Sequence, residues 1–319
     1  MTRPTPQPDL TGRSVLTLRN HPPEAVAAVL DLAHRLRATP WRDWPDWLSK
    51  RTVGLIFERP STRTRVAFET GVGRLGGQSI HLSARDMQLG RGEALEDTAL
   101  ILSGMVDALV LRTGPHEKIV DLARFASIPV VNALTYEHHP CQGLADLMTL
   151  QEVFGDVRGL PVAYVGDGNN CCISLVVVGA KLGLDVTCAC PEGYDPDPEV
   201  IAWADEAAGA LGGGIRVVRD PAEAAEGVRA IYTDTWVSMG DEEREAERTR
   251  TFTPYRVDAA LMARAASGAV AMHPLPAHHE EEITYEVLHG AQSVAWQQGH
   301  NRLYTQAALM ALILADPPS

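Results

Sequence analysis

No stretch of this sequence stays apolar for the roughly 20 residues that a bilayer-spanning helix needs. Residues 1–10 hold three prolines and no apolar core segment, so they are not expected to act as a secretory signal. Positive charge is in short supply. The chain has 28 Lys and Arg against 41 Asp and Glu, a net charge of −13, and so acidic a surface disfavours nucleic acid and membrane lipid as partners. An anionic substrate therefore needs a basic pocket of its own. Cysteine is sparse and odd in number, at Cys141, Cys171, Cys172, Cys188 and Cys190, which argues against a disulfide framework and for a reducing, cytoplasmic setting. No CxxC pair accompanies these residues. Cys188 and Cys190 alternate along an apolar strand pattern and are expected as small buried hydrophobes rather than metal ligands. No repeat of fixed period is present.

What is present is ordinary globular composition, 45% hydrophobic and 22% charged, in a chain of 319 residues that exceeds the comfortable size of one core. Strand-like apolar runs at 53–57, 108–111, 129–132, 162–165, 185–189, 216–218, 230–233 and 269–272 each give way to helical periodicity. That alternation predicts parallel α/β structure. A long helical pattern over 141–154 ends at Gly155-Asp156, and a new strand begins after Gly159. A boundary there gives two doubly wound parallel-sheet domains, 1–150 and 151–300, joined by interdomain helices. The last helical pattern, 301–314, is expected to pack back on the first domain.

The densest chemistry lies in Phe57-Glu58-Arg59-Pro60-Ser61-Thr62-Arg63-Thr64-Arg65, where a strand ends and Pro and Ser open a helix crowded with arginines and hydroxyls. Unpaired amides at a helix start, the macrodipole and guanidinium forks all favour phosphate. A capped helix with a solvated basic face is the alternative. Capping alone does not call for this much positive charge in so acidic a protein, which favours an anion site.

Ser61-Thr62-Arg63-Thr64-Arg65 after a strand resembles the carbamoyl-phosphate loop of the aspartate/ornithine carbamoyltransferase family. Leu111-Arg112-Thr113 with His116, and His139-Pro140-Cys141-Gln142, are similar to the next two motifs of that family, in the same order and at comparable distances. The resemblance implies that Ser61, Thr62, Arg63 and Thr64 hold the phosphate while Arg112, His139 and Gln142 surround the carbamoyl carbonyl oxygen. Donors aimed at that oxygen would stabilise the charge it gains when an amine attacks the adjacent carbon. His139 precedes Pro140 at a helix start, where the positive dipole end favours neutral imidazole. Gln88, in the polar loop 86–93, is implied to reach the phosphate site of a neighbouring subunit, and with it a homotrimer.

The second half opens on Val165-Gly166-Asp167-Gly168-Asn169-Asn170, which resembles a dinucleotide fingerprint. Its third glycine is missing, with Cys171 in the way, and no acidic residue closes the next strand, so a nicotinamide cofactor is not expected. The same segment is similar to the loop of the ornithine-specific branch in which an Asn, here Asn170, binds the amino-acid carboxylate. Tyr232-Thr233-Asp234-Thr235-Trp236-Val237-Ser238-Met239-Gly240 carries the Ser-Met-Gly ending of that branch. By resemblance Asp234 and Ser238 take the α-ammonium of ornithine and the Met239 amide assists at the carboxylate. A carboxylate beside a hydroxyl suits a cation, whereas an aspartate substrate would demand extra arginines.

One motif departs from that branch. His273-Pro274-Leu275-Pro276 has proline where a cysteine is usual, the spelling of aspartate enzymes, yet Ala277 follows in place of their arginine. The Leu275 carbonyl is still expected to accept a hydrogen bond from the carbamoyl nitrogen. His278 and His279 are adjacent and poorly spaced for one ion, so no metal is expected. Asn301-Arg302-Leu303 is similar to the closing motif of the family, which implies that Arg302 borders carbamoyl phosphate. Arg63, Arg112, His139 and Asp234 are the expected catalytic set, for direct transfer of the carbamoyl group from carbamoyl phosphate to the δ-amine of L-ornithine, giving citrulline and phosphate without a cofactor. Another amine acceptor (aspartate, a modified ornithine or a diamine), a nicotinamide-dependent enzyme and a non-catalytic binding protein remain as rival readings.

Overall fold

The computed structural model describes residues 10–83, 87, 92–237 and 244–314, and divides into two compact units. The first comprises residues up to Met148 and those from His300 onward; the second runs from Thr149 to Gly299.

In chain order the first unit holds α1 (Pro23–Ala38), β1 (Thr52–Phe57), α2 (Thr62–Arg74), β2 (Gln78–Ser83), α3 (Leu95–Ser103), β3 (Ala108–Arg112), α4 (His116–Phe125), β4 (Val130–Leu134) and most of α5 (Pro140–Phe154). Its strands form a parallel sheet of order β2-β1-β3-β4. β1, β3 and β4 are buried almost throughout, as continuous runs of Val, Leu, Ile and Ala must be when helices cover both faces. β2 was not expected from the sequence. Among the described residues it pairs only with β1, at the sheet edge, and its residues are half-buried or exposed, so its composition, QSIHLS, carries little of the apolar signal of a buried strand.

The second unit holds β5 (Pro161–Val165), α6 (Asn170–Ala180), β6 (Asp185–Ala189), α7 (Pro198–Gly209), β7 (Gly214–Val218), α8 (Pro221–Ala225), β8 (Ala230–Tyr232), α9 (Glu245–Phe252), α10 (Ala259–Met262), β9 (Val270–Met272), α11 (Tyr285–His289) and the start of α12 (Ala295–Leu314). Its parallel sheet has the order β7-β6-β5-β8-β9. Helix starts are written into the sequence as side-chain caps: Asn169, Asp197, Asp220, Asp258 and Thr284 each accept from amides of the first turn. All five cysteines are buried as thiols outside any disulfide, with the Cys172 and Cys188 sulfurs 3.6 Å apart. Among the described residues no helix is long and apolar enough to cross a membrane.

In each sheet the chain builds outward in one direction and then returns to build in the other. The reversal falls between β1 and β3 in the first unit and between β5 and β8 in the second. Open parallel sheets bind ligands outside the carboxyl ends of the strands at such points, because the loops there diverge and leave a crevice.

Candidate active site

The expected phosphate loop leaves the carboxyl end of β1, and Arg112 ends β3 directly beside it, in register with Phe57. Ser61 occupies the capping position of α2 but makes no side-chain capping bond. Its hydroxyl is not committed to the helix start. Thr64 lies in the first turn and is buried at 2% exposure.

Arg302, on α12, has its guanidinium spread over three partners: Nε donates to Gln306 Oε1 at 3.0 Å, Nη1 to Gln142 Oε1 at 2.6 Å and Nη2 to Thr64 Oγ1 at 2.8 Å. Gln306 in turn donates to the Thr64 carbonyl at 3.1 Å. Gln142 gives one amide hydrogen to Asp146 Oδ1 at 2.8 Å, which leaves its second amide hydrogen for a ligand. Thr64, Gln142 and Arg302 are thus one buried network, and Asp146 and Gln306, which the sequence reading did not single out, anchor its far side.

His139 is 4% exposed and caps α5 through its carbonyl, which accepts from the amides of Gln142 and Gly143 at 2.9 and 3.2 Å. Burial, then the positive charges of Arg302 and Arg112, hold its imidazole well below the usual histidine range, so it is neutral near pH 7. Burial and then Arg302 also lower the Arg63 guanidinium, which is half-buried. Cations crowded out of water in this way gain most from an anion placed among them. Burial raises the Cys141 thiol to about 11, so at neutral pH it is no nucleophile.

A cavity of about 600 Å³ opens on another side of the same loop, lined by Ser61, Thr62, Phe57, Arg59, Arg65 and His81, and not by Arg63, Arg112 or His139. Gln88, Ser238 and Met239 lie outside the described residues.

In the second unit, β5 ends in a turn through Gly166, at φ +136°, and Gly168. A Cβ on Gly168 would meet the Pro196 nitrogen at 2.1 Å, so this glycine is required by the approach of the 195–196 backbone rather than by a pyrophosphate. Asn170 begins α6 and is half-buried. Across the switch point, Asp234 follows β8 and receives Asn169 Nδ2 at 2.9 Å and the Thr235 amide at 2.8 Å. Trp236, two residues beyond it, is held by Arg248, 3% exposed, which donates through Nε to the Trp236 carbonyl and pairs through Nη2 with Asp167 of the β5 turn. Sequence gave no hint of Arg248, because its segment reads as a mixed-charge run.

Leu275 follows β9 in left-handed backbone, φ +57°, with its amide donating to His273 Nδ1 at 2.9 Å. The opposite ring nitrogen of His273, Nε2, lies 3.0 Å from Glu282 Oε1, which also receives the His278 amide at 2.7 Å. His273 and Glu282 are both fully buried and lock the segment that presents Leu275. His278, Glu281 and Glu282 bring one potential ligand atom each within 4.8 Å of one another, though Glu282 Oε1 is already engaged by this lock.

Residues 13–152 match the aspartate/ornithine carbamoyltransferase carbamoyl-P binding domain, and residues 158–313 match the Asp/Orn binding domain of the same family. The chain is 51% identical over 292 residues to the ornithine carbamoyltransferase of Acidothermus cellulolyticus, covering 92% of this chain and 93% of the relative. It is 45% identical over 306 residues to that of Pyrococcus horikoshii, covering 96% of each. The solved ornithine carbamoyltransferase from Pyrococcus furiosus superimposes with a TM-score of 0.91 at 43% identity, covering 95% of this chain and 97% of that one. With two parallel-sheet units and both family domains matched in order along it, the chain belongs to the aspartate/ornithine carbamoyltransferase family.

Proposed function

We propose that this protein is an ornithine carbamoyltransferase, moving the carbamoyl group of carbamoyl phosphate to the δ-amine of L-ornithine and releasing citrulline and phosphate. The observation that carries the reading is the convergence, at the switch point of the first sheet, of a buried Arg302 fork with Thr64 and Gln142, and of Arg302 and Arg112 on a neutral His139, in a protein of net charge −13.

In this reading the phosphate lies against Ser61, Thr62, Arg63 and Thr64, with Arg302 behind them. Thr64 accepts from Arg302 and keeps its own hydrogen for a phosphate oxygen. Arg112, the single N–H of neutral His139 and the second amide hydrogen of Gln142 face the carbonyl oxygen, and the Leu275 carbonyl takes a hydrogen from the carbamoyl nitrogen. The neutral δ-amine attacks the carbonyl carbon, charge collects on the oxygen under these donors, and the C–O bond to phosphate breaks as the amine proton is lost. Positioning and charge stabilisation do the work, and no covalent enzyme intermediate is needed.

Asn170 binds the ornithine carboxylate with the Met239 amide, and Asp234 takes the α-ammonium with Ser238. Pro274, where the family resemblance expects a thiol, leaves the amine to lose its proton without help from sulfur. The unit up to Met148 serves carbamoyl phosphate and the unit from Thr149 serves ornithine. Gln88 acts on the phosphate site of a neighbouring subunit in a homotrimer, and buried thiols outside disulfides suit a cytoplasmic enzyme. No cofactor takes part.

The test is a panel of amines offered with carbamoyl phosphate to the purified protein. Ornithine should give citrulline and phosphate one to one, while aspartate and simple diamines give background. Equal or faster turnover of another amine would overturn the assignment.

A further inference from the structure

Asn169 occupies the capping position of α6, and three donors converge on its Oδ1: the amides of Cys171 and Cys172 at 2.9 and 3.2 Å, and the Tyr164 hydroxyl at 3.2 Å. An amide whose oxygen faces three hydrogens cannot turn over without setting its NH2 against them. Nδ2 is therefore fixed on the opposite side, where it donates to Asp234 Oδ2 at 2.9 Å. The other carboxylate oxygen, Oδ1, receives the Thr235 amide at 2.8 Å. Among the described residues each oxygen of Asp234 is held by one donor, and a carboxylate oxygen so held retains lone pairs for a ligand.

We propose that Asn169 is the positioning residue that aims the Asp234 carboxylate at the α-ammonium of the acceptor amino acid, with Tyr164 behind it as the group that sets the amide. The inference rests on the acceptor role given to Asp234 above. Tyr164 is fully buried on β5, its ring edge-on to Tyr232 of β8 with centroids 5.4 Å apart. Burial, and next the negative charge of Asp234, hold the phenol well above its ordinary range, so it stays a hydrogen donor throughout the working pH range. The relay crosses the switch point of the second sheet, from strand β5 through the α6 cap to the loop after β8.

A cap and a positioning group respond differently to the same substitutions. Asn, Asp and Ser are nearly equivalent caps. Asn169→Ser and Asn169→Asp should both keep α6 capped, and Asn169→Ser should keep its heat stability as well. Serine lacks the donor to Asp234, and aspartate sets a second negative charge against it. In steady-state citrulline assays the KM for ornithine should rise about ten- to a hundredfold in Asn169→Ser, the scale of one hydrogen bond to a charged group, and further in Asn169→Asp. The KM for carbamoyl phosphate should stay within about twofold, because no group of that site is touched. Tyr164→Phe should move ornithine KM in the same direction by less.

An unchanged ornithine KM in both Asn169 variants overturns the proposal, as does a rise in both substrates' KM together or a large loss of heat stability in both, which would make Asn169 a cap and no more. A wild-type protein that makes no citrulline from ornithine would instead remove the functional reading, and this inference with it.

Discussion

Arg302 Nη2 donates to Thr64 Oγ1 at 2.8 Å, joining side chains 238 positions apart in sequence. The bond brings the C-terminal helix to the first turn of α2, and the same guanidinium reaches Gln142 and Gln306 through its other nitrogens. A planar fork with donors in fixed directions is what this arrangement uses, and lysine cannot replace it. Arg302→Lys is expected to raise the KM for carbamoyl phosphate about tenfold or more while leaving that for ornithine near wild type, on the scale of a charge-assisted hydrogen bond lost. Initial-rate measurements with each substrate varied in turn check this.

Arg63 is a half-buried cation of the loop, its pKa lowered by burial and by the neighbouring charge of Arg302. Removing it takes away one preorganised charge stabiliser, so Arg63→Ala should lower kcat/KM for carbamoyl phosphate by about a hundredfold or more. Near-normal turnover in this variant would exclude the proposed phosphate site.

His139 makes a prediction about stability rather than rate. In an unfolded chain its imidazole titrates at the ordinary value of 6.5, whereas burial and then Arg302 and Arg112 hold the folded value well below that. Between the two values the unfolded chain binds a proton that the folded chain does not. The contribution of His139 to stability is therefore full above pH 6.5 and is lost as pH falls toward the folded value. In denaturant unfolding across pH, His139→Gln should lose stability less steeply on the acid side than wild type, with the difference between the two constant above pH 6.5.

Arg248 and Asp167 form an ion pair whose side chains are 4% and 14% exposed. Arg248 also lies over the rings of Tyr194 and Phe252, at 5.0 and 5.1 Å from their centroids. Breaking a buried pair from one side leaves an uncompensated charge, so Arg248→Ala should cost about 3–5 kcal/mol by chemical denaturation. The double variant Arg248→Met with Asp167→Asn should cost less, since no charge is then stranded.

The sequence made the architecture readable because buried parallel strands are near-continuous apolar runs, and β1, β3 and β4 are of that kind. It hid β2, an edge strand whose two apolar residues, Ile80 and Leu82, stand among polar ones and are half-buried or exposed. The proposed phosphate loop was legible for the opposite reason: arginines and hydroxyls packed into one helix start stand out in an acidic chain. The supporting groups were not. Asp146, Gln306, Asn169, Arg248 and Glu282 are ordinary polar residues in sequence, and their partners lie up to 242 positions away, so only the fold reveals what they hold. Gly168 shows the reverse case, a residue that suggests a cofactor fingerprint until the approach of the 195–196 backbone explains it.

In the proposed reaction, amide, hydroxyl and guanidinium donors of Ser61, Thr62, Arg63, Thr64 and Arg302 converge on a phosphate, with Arg112 and His139 at the neighbouring carbonyl. A crystal structure with a phosphonate bisubstrate analogue that joins a carbamoyl-phosphate mimic to ornithine tests it most directly. The phosphonate should lie within hydrogen-bonding distance of these five residues, with the carbonyl oxygen against Arg112 and His139. An analogue bound elsewhere, or one whose phosphonate touches none of the arginines, would contradict the account.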